Sequence, residues 1–375
     1  MILESAKPYA LRIPFAVAFK HAAAERDVTQ TILVNAESSN GIVSYGEGCP
    51  REYVTGETLA TAKAFVIEHL EDWRKSIHNV DSLASWIDHH RRDIDSNAAA
   101  WTAVELALLD LLGKEAKQSV ESLLAVRALT GKFRYTAILG DSAPSQFEAQ
   151  LKTYLRSGFR DFKIKLSGDW KRDLSKTHAL LASGIDPHGV RADANNLWQS
   201  ADAAIADLKA IGYPFSAIEE PLQTGDFDGM RRLASALNTK IVLDESMLRI
   251  SQLDLLAGTP SVWTINVRIS KTGGLLRSLE FVEQLRARGL RMILGAHVGE
   301  TSILTRAALT VANCAQDILI AQEGAFGTHL LTRDITDPPI MFGEGGIVDV
   351  SLLEIAQTHG FGLALLQPIP HITAL

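Results

Sequence analysis

The spacing of hydrophobic and polar residues changes partway along the chain. Up to about residue 60, apolar and polar positions alternate, as in TQTILVNAESSNGIVSYGEG, which predicts strands around a turn at Ser39, Asn40 and Gly41. From TGETLATAKAFVIEHLEDW to WTAVELALLDLLGKEAKQSV the apolar spacing becomes helical. Residues 1–130 are therefore predicted to form an α+β domain.

A different pattern begins at RYTAILG, where short apolar runs alternate with amphipathic helices. The polar residues that end six of these runs are Lys165, Asp193, Glu219, Asp244, Arg268 and His297. Their separations of 28, 26, 25, 24 and 29 residues each match one strand–helix unit. Such near-equal units favour a (β/α) barrel over a doubly wound sheet, and no Gly-x-Gly-x-x-Gly motif follows the strands. We place this barrel at residues 131–340.

Composition excludes several classes of protein. The 375 residues include 37 basic and 44 acidic side chains, and the resulting net charge of −7 argues against a nucleic-acid surface. Cys49 and Cys314 lie far apart and outside any CxxC pair, so neither a disulfide framework nor a thiolate metal site is expected. No apolar run approaches the roughly 20 residues that span a bilayer, and no signal peptide is visible. We expect a cytoplasmic protein.

Three acidic residues follow successive predicted strands. In a barrel, polar residues at the carboxyl ends of strands face the active-site mouth. Asp193, Glu219 and Asp244 could each cap a helix or lie at the surface, but their equivalent positions favour convergence. Converging carboxylates need a cation between them to stay ionised. An oxygen-only ligand set suits Mg²⁺.

Two lysines lie two residues apart in the run DFKIKLSGDW. Side chains of a strand alternate between its faces, so Lys163 and Lys165 point the same way. A pair of ammonium groups at the mouth would let Lys165 act as a general base near neutral pH, with Lys163 tuning it.

The order of KIK, DAN, EEP, DES and KTGG resembles the enolase superfamily, in its muconate lactonizing enzyme and dipeptide epimerase branch. The resemblance covers nearly the whole chain. It implies an α/β fold with a modified (β/α)8-type barrel, written (β/α)7β, an N-terminal α+β capping domain, and a segment at 341–375 that returns to the cap. It also implies Mg²⁺ bound by Asp193, Glu219 and Asp244, with Lys165 removing the proton α to a substrate carboxylate.

The sixth strand, INVRISKTGG, departs from the family pattern. Relatives carry a second catalytic lysine where this chain has Arg268. A guanidinium stays protonated, so Arg268 is expected to bind substrate or order charge without taking a proton. Lys271 and His297 are the alternatives for a second acid/base, and His297 resembles the catalytic histidine of the mandelate racemase branch.

Substrate contacts are expected from several places. The cap loop FAVAFKHAAAERD supplies Lys20 and His21, the DAN motif is followed by Asn195, and Glu300 matches an acid found on the seventh strand of many relatives. Dipeptide epimerases carry an Asp-x-Asp on strand eight, whereas this chain reads EGAFGTHLL there. A dipeptide substrate is therefore not favoured.

These features predict a Mg²⁺-dependent isomerase or lyase acting on a small-molecule carboxylate. Proton abstraction would be followed by β-elimination or cycloisomerisation, because one base suffices for these reactions, whereas racemisation needs donors on both faces. Two alternatives stay open: a racemase or epimerase of an N-acyl amino acid or related carboxylate, and a non-catalytic protein that binds a metal or small acid. We expect a homo-oligomer without nucleic-acid or membrane partners.

Overall fold

The chain forms a parallel barrel and an antiparallel cap, seen in a computed structural model that describes residues 1–21, 24–353, 355 and 358–375. The side chains of residues 17–21 and 24–26 lie outside the described set. No helix in the described ranges has the length and apolar character needed to cross a membrane.

Strands dominate the beginning of the chain, and strands and helices alternate through most of the remainder. The strands are β1 (Leu3–Leu11), β2 (Pro14–His21), β3 (Ala24–Val28), β4 (Thr31–Ser38), β5 (Val43–Gly48), β6 (Lys132–Arg134), β7 (Ala137–Leu139), β8 (Phe162–Lys165), β9 (Val190–Asp193), β10 (Ala217–Glu219), β11 (Lys240–Leu243), β12 (Trp263–Val267), β13 (Arg291–Leu294), β14 (Leu319–Gln322), β15 (Ile347–Asp349) and β16 (Ile372–Ala374). The α-helices are α1 (Glu52–Thr55), α2 (Leu59–Ser76), α3 (Val80–His89), α4 (Arg91–Ser96), α5 (Ala98–Ala116), α6 (Val120–Leu123), α7 (Pro144–Arg156), α8 (Trp170–Ala182), α9 (Ala201–Ile211), α10 (Phe227–Leu237), α11 (Ile269–Thr272), α12 (Leu275–Ala287) and α13 (Ser302–Cys314). Short 3₁₀ helices occur at Pro187–Gly189, Ile250–Leu256, Pro260–Val262, Gly327–His329, Glu344–Gly346 and Val350–Leu352.

Strands β7 to β14 form one parallel sheet in which each strand pairs with the next along the chain. The amide of Thr136 donates to the Gln322 carbonyl at 2.8 Å, which links the two ends of the sheet. Helical crossovers connect the strands, and the β11–β12 connection is made of 3₁₀ turns. The described residues that follow β14 form only 3₁₀ turns and short strands. The predicted fold class is confirmed.

Burial of the barrel strands explains their composition. The five residues of β12, WTINV, are all buried, as expected for a parallel sheet covered on both faces. In β8, Phe162 and Ile164 share one face, so Lys163 and Lys165 share the face that lines the barrel. Polar residues that end such strands are held in an interior where each needs a partner.

The cap is built on an antiparallel sheet in the order β16, β1, β4, β5. Helix α5 packs so closely on β5 that a side chain at Gly48 would collide with the Ala99 carbonyl. The last strand, β16, pairs with β1, so the C-terminal strand is part of the cap sheet. The domain boundaries at residues 130 and 340 stay a prediction.

Buried acidic residues join the cap to the barrel. The carboxylate of Glu47 accepts hydrogen bonds from the Thr301 and Leu304 amides at the start of α13. Glu105 of α5 accepts from the Leu276 amide of α12. Burial raises the pKa of Glu47 to about 8 and of Glu105 to about 7. The amides at a helix N-terminus lack partners within the helix, so they can donate to these carboxylates. The two glutamates of the cap thereby hold the N-termini of two barrel helices against it.

A further buried contact across this interface is a two-pronged ion pair. Arg306 of α13 donates from its two terminal nitrogens to the two Glu121 oxygens at 2.8 and 2.9 Å, and both side chains are buried. Burial opposes ionisation of Glu121, but the Arg306 guanidinium holds its pKa below the usual range.

We expect Arg306→Met to destabilise the protein by about 3–5 kcal/mol at neutral pH, because it leaves a buried carboxylate uncompensated. The control Arg74→Met breaks the exposed pair with Glu71 and should cost less than about 1 kcal/mol. Since the pKa of Glu121 is lowered, the stabilisation exists above its ordinary value of 4.5 and is lost in acid. The free energies of unfolding of the two variants, measured by urea denaturation, should therefore differ clearly at pH 7. They should converge in acid, below pH 4.5. An equal loss of stability in the two variants at pH 7 would show that the buried pair of Arg306 and Glu121 does not stabilise the protein.

Candidate active site

Strand pairing gathers the predicted site residues at one end of the barrel. The register places Lys165 beside Asp193 and Asp193 beside Glu219. Asp244 and Arg268 follow the next two strands directly. A cavity of about 60 Å³ lies at this end and is lined by Lys163, Lys165, Asp193, Asn195 and Arg268, together with Tyr53, Ile138, Glu245, Ala296, Val298 and Glu323.

Lys163 is buried among three carboxylates. Its Nζ lies 2.5 Å from Glu323 Oε2, 3.1 Å from Glu219 Oε2 and 3.4 Å from Asp193 Oδ2. Burial alone would lower the pKa of Lys163, but the charges of Glu219, Glu323 and Asp193 raise it above the usual range. Lys163 is therefore a fixed cation that links the ends of four strands.

Lys165 occupies the more open side of the same face. Its Nζ donates to Asp193 Oδ2 at 2.6 Å and to Asn195 Oδ1 at 2.7 Å. Its backbone carbonyl accepts a hydrogen bond from Lys176 Nζ at 2.8 Å. Lys176 also pairs with Asp173, whose carboxylate accepts from the Ser167 amide at 3.0 Å. Helix α8 thus holds the loop that follows Lys165.

The three acidic residues predicted as metal ligands are all buried, at most 2% exposed. For Asp193, burial opposes ionisation, yet Lys165 and Lys163 hold its pKa low. For Glu219, burial and then the Asp193 charge raise the pKa to about 7. The raised pKa of Glu219 beside the lowered pKa of Asp193 reflects burial together with repulsion between closely packed carboxylates.

Arg268 and Lys271 both contact Asp244 but differ in access to the cavity. The Arg268 guanidinium pairs with the Asp244 carboxylate, lies 3.8 Å from Glu219 Oε1 and lines the cavity. Lys271 is fully buried, and its Nζ donates to Asp244 Oδ1, the Asp244 carbonyl and the carbonyl of Asn266. All three ammonium hydrogens are therefore used inside the protein.

His297 and Glu300 form a pair behind the mouth, in an adjoining cavity of about 80 Å³. His297 Nδ1 lies 3.5 Å from Glu300 Oε1, which also accepts from the His297 amide at 2.6 Å. Burial raises the pKa of Glu300 to about 7. Arg51 of the cap donates to the Val298 carbonyl at 2.8 Å, so the cap helps to position this loop.

Three residues of the site were missed by sequence reasoning. Glu323 directly follows β14, and the rule that polar residues at strand ends face the mouth would have found it. Glu245 lies beside Asp244, and burial followed by the Asp244 charge raises its pKa to about 8. Tyr53 of α1 reaches the cavity from the cap, which no strand pattern signals. The side chains of Lys20 and His21 lie outside the described residues.

The oxygen-rich donor set is compatible with a hard divalent cation. Asp193, Glu219 and Asp244 come from neighbouring strands, and Glu245 Oε2 and Asn266 Oδ1 have no hydrogen-bond partner within the described chain. The side-chain cations of Lys163 and Arg268 stand between the carboxylates in this structure. Among the residues described, no three His, Cys, Asp or Glu side chains have a geometry ready to hold a metal ion. The residue types fit Mg²⁺, and binding would require the two cations to shift.

Comparison with known proteins adds the family context. Residues 146–367 match the family model "Enolase C-terminal domain-like", and residues 4–125 match "Mandelate racemase / muconate lactonizing enzyme, N-terminal domain". A hydrophobic dipeptide epimerase from Enterococcus faecalis is 28% identical over 88% of this chain and 91% of that protein. The crystal structure of N-succinyl Arg/Lys racemase from Bacillus cereus superimposes with a TM-score of 0.82 at 21% identity, covering 98% of this chain and 96% of that one. The crystal structure of the Enterococcus faecalis dipeptide epimerase complexed with Mg and the dipeptide L-Leu-L-Tyr superimposes with a TM-score of 0.79 at 23% identity. The match covers 97% of this chain and 100% of that one.

We expect Lys176→Met to loosen the loop after Lys165. The substitution keeps the side-chain length but leaves Asp173 buried without its ammonium partner, at a local cost of about 3 kcal/mol. Hydrogen exchange followed by mass spectrometry should show faster exchange in the peptide covering residues 163–169. The control Lys171→Met changes an exposed lysine of the same helix and should leave that peptide unchanged. An unaltered exchange rate in Lys176→Met would show that α8 does not hold the loop.

Proposed function

Because the chain belongs to the enolase superfamily, in its mandelate racemase / muconate lactonizing enzyme group, we propose that it is a Mg²⁺-dependent enzyme that removes the proton α to a carboxylate of a small molecule. The observation that carries this proposal is the position of Lys165. Its Nζ borders the cavity, 2.6 Å from Asp193 and held by Asn195, on the face where a substrate would lie. A side chain so placed can receive a proton from a neighbouring carbon.

We assign Asp193, Glu219 and Asp244 as the ligands of the metal. When bound, Mg²⁺ would polarise the substrate carboxylate and stabilise the negative charge that proton removal creates. Lys163 stays charged and keeps its pairing with Glu323 when it moves from between the metal ligands. Asn195 and Asp193 orient Lys165 Nζ, which takes the α-proton. Asn195 and Glu300 are kept as proposed substrate contacts, and so are Lys20 and His21.

The opposite face of the cavity carries Arg268 in place of a lysine. Burial would lower the pKa of Arg268, but Asp244 and other acids raise it above its already high value, so the guanidinium cannot accept the proton. We propose that Arg268 binds negative charge on the substrate. Lys271 has its three hydrogens committed to Asp244 and Asn266, and we assign it a structural role. His297 stays the candidate for a second acid/base.

A site with one base favours β-elimination or cycloisomerisation after proton removal. A second candidate is a racemase or epimerase of an N-acyl amino acid or related carboxylate, and the names of the relatives support it: they are a hydrophobic dipeptide epimerase and an N-succinyl Arg/Lys racemase. The non-catalytic alternative predicts binding without turnover. A cytoplasmic homo-oligomer remains part of the proposal.

We expect Asp244→Asn to weaken Mg²⁺ binding by at least the roughly 10–100-fold typical of losing an outer-shell partner, because it removes one ligand charge. Isothermal calorimetry would measure the affinity, with circular dichroism to verify folding. The control Asp254→Asn changes an exposed aspartate in the next 3₁₀ helix. Equal Mg²⁺ affinity in the parent and Asp244→Asn would remove Asp244 from the ligand set.

We expect Lys165→Ala to slow exchange of a substrate α-proton with deuterated water by about 10²–10⁴-fold. Acid sugars, N-acyl amino acids, dipeptides and lactone precursors would be screened with Mg²⁺ by NMR to find a compound that exchanges. Lys152→Ala, an exposed lysine of α7, is the control. Exchange at the parent rate in Lys165→Ala would mean that another group takes the proton.

The stereochemical course of the same experiment separates the candidate reactions. A resolved substrate that exchanges with retained configuration indicates a one-faced site and excludes a racemase. Exchange with equal loss of optical activity indicates a second acid, and loss of racemisation in His297→Ala would identify it as His297. Binding without exchange for every compound of the screen would favour the non-catalytic alternative.

A further inference from the structure

The seam between the first and last barrel strands is covered by irregular chain instead of a helix. Between Gln322 and Ile347, all of it described, the backbone forms the 3₁₀ turns Gly327–His329 and Glu344–Gly346 and isolated bridges at Leu331 and Thr336, but no α-helix. A cavity of about 970 Å³, which we call the seam cavity, lies between this segment and helix α7. Its volume is at the upper end of the range typical of small-molecule sites.

Aromatic rings form the inner wall of the seam cavity. Phe342 packs against Phe159 and Phe326 with ring centroids 5.4 and 5.2 Å apart, both edge-to-face. Tyr154 extends the cluster from Phe159 at 4.9 Å, and the His329 ring stacks on Phe342 at 4.7 Å. These rings offer a broad apolar surface of the kind that receives another ring.

Apart from the exposed Glu344, the rest of the lining is neutral or already paired. Ser142, Gln146 and Gln150 are uncharged and lie toward the outer side on the loop and helix after β7. Asp141 is bound by Lys176 at 2.8 Å and by Arg172 at 3.0 Å. No lysine or arginine side chain lines the seam cavity within the described chain, and Glu344 is exposed. An anionic group would find no cation here, so charge favours a neutral occupant.

Shared lining residues place the seam cavity next to the small cavity beside His297, which in turn adjoins the mouth. Ile138 of β7 borders the mouth, the small cavity beside His297 and the seam cavity. Phe326 and Leu330 are common to the small and the seam cavities, and Glu323 is common to the small cavity and the mouth. The intermediate cavity has a volume of about 80 Å³, far smaller than the seam cavity on its outer side.

We propose that the seam cavity binds the distal part of the substrate, and that this part is a large neutral apolar group about the size of an aromatic ring. The carboxylate head lies at the mouth beside Lys165, a narrow linker passes Ile138, and the bulky group packs on Phe326 and Phe342. This inference rests on the proposed function for the position of the head. It assigns the substrate class as carboxylates with a slender linker and a bulky neutral end.

Gly140 allows a direct test, because a Cβ built on it meets no heavy atom within 4 Å and its backbone is outside the left-handed region. Gly140→Phe should fill part of the seam cavity without disturbing the mouth. The matched control is Lys152→Trp, which adds bulk to the exposed side of α7. The substrate pair is N-acetyl-alanine and N-(3-phenylpropanoyl)-alanine, which share head and α-proton and differ in the distal group.

We expect kcat/KM for α-deuterium exchange to be about tenfold or more higher for the phenylpropanoyl compound in the parent. Gly140→Phe should abolish that advantage and leave exchange of the acetyl compound unchanged, whereas Lys152→Trp should behave as the parent. Equal rates for the two compounds in the parent would overturn the inference. So would an equal loss for both compounds in Gly140→Phe.

A second measurement does not depend on catalysis. The neutral fluorophore N-phenyl-1-naphthylamine should bind the parent, be displaced by the phenylpropanoyl compound in preference to the acetyl compound, and bind Gly140→Phe at least about tenfold more weakly. If neither alanine derivative exchanges, the proposed function fails for this class of substrate. Binding of the fluorophore then tests by itself whether the seam cavity receives a neutral apolar group. No binding to the parent, or equal binding to Gly140→Phe, would overturn the inference.

Discussion

Carboxylates taken out of water need positive charge or N–H donors, and this requirement organises the whole molecule. At the barrel mouth the Lys163 ammonium draws Asp193, Glu219 and Glu323 together, so one side chain ties β8 to β9, β10 and β14. A buried charge of this kind is expensive to form and more expensive to break on one side only. The same cluster that could bind a metal therefore also holds the strand ends in register.

In the cap, backbone N–H groups take the place of the ammonium group as donors to a buried carboxylate. Glu47 uses the free amides at the start of α13, and Arg51 uses the Val298 carbonyl just before it. Both contacts reach the loop that carries His297 and Glu300. The cap is thus in direct contact with a wall of the proposed active site. Any movement of its β5–α1 region would move the loop that carries His297 and Glu300.

Much of the barrel, and the position of Asp193, Glu219 and Asp244 at one end of it, could be predicted because a repeating unit places equivalent residues at equivalent strand ends. Glu323 was missed because the spacing argument ended at the seventh strand. The position of Lys271 could not be predicted from strand alternation, because β12 ends before this residue and Lys271 lies in α11. From that helix its ammonium group donates to the Asp244 carboxylate. The seam cavity has no signature in the sequence, since its walls come from segments nearly two hundred residues apart that meet only in the folded chain.

The pairing of β16 with β1 has a consequence for synthesis on the ribosome. Tyr9 faces Ala374 across this pair, so β1 leaves the exit tunnel long before its partner, which is made after all the barrel strands. Until then the outer edge of β1 presents unpaired amides and carbonyls, a surface that invites pairing with another chain. The nascent polypeptide can build its barrel strand by strand, yet its cap sheet is complete only once β16, which follows all the barrel strands, has emerged.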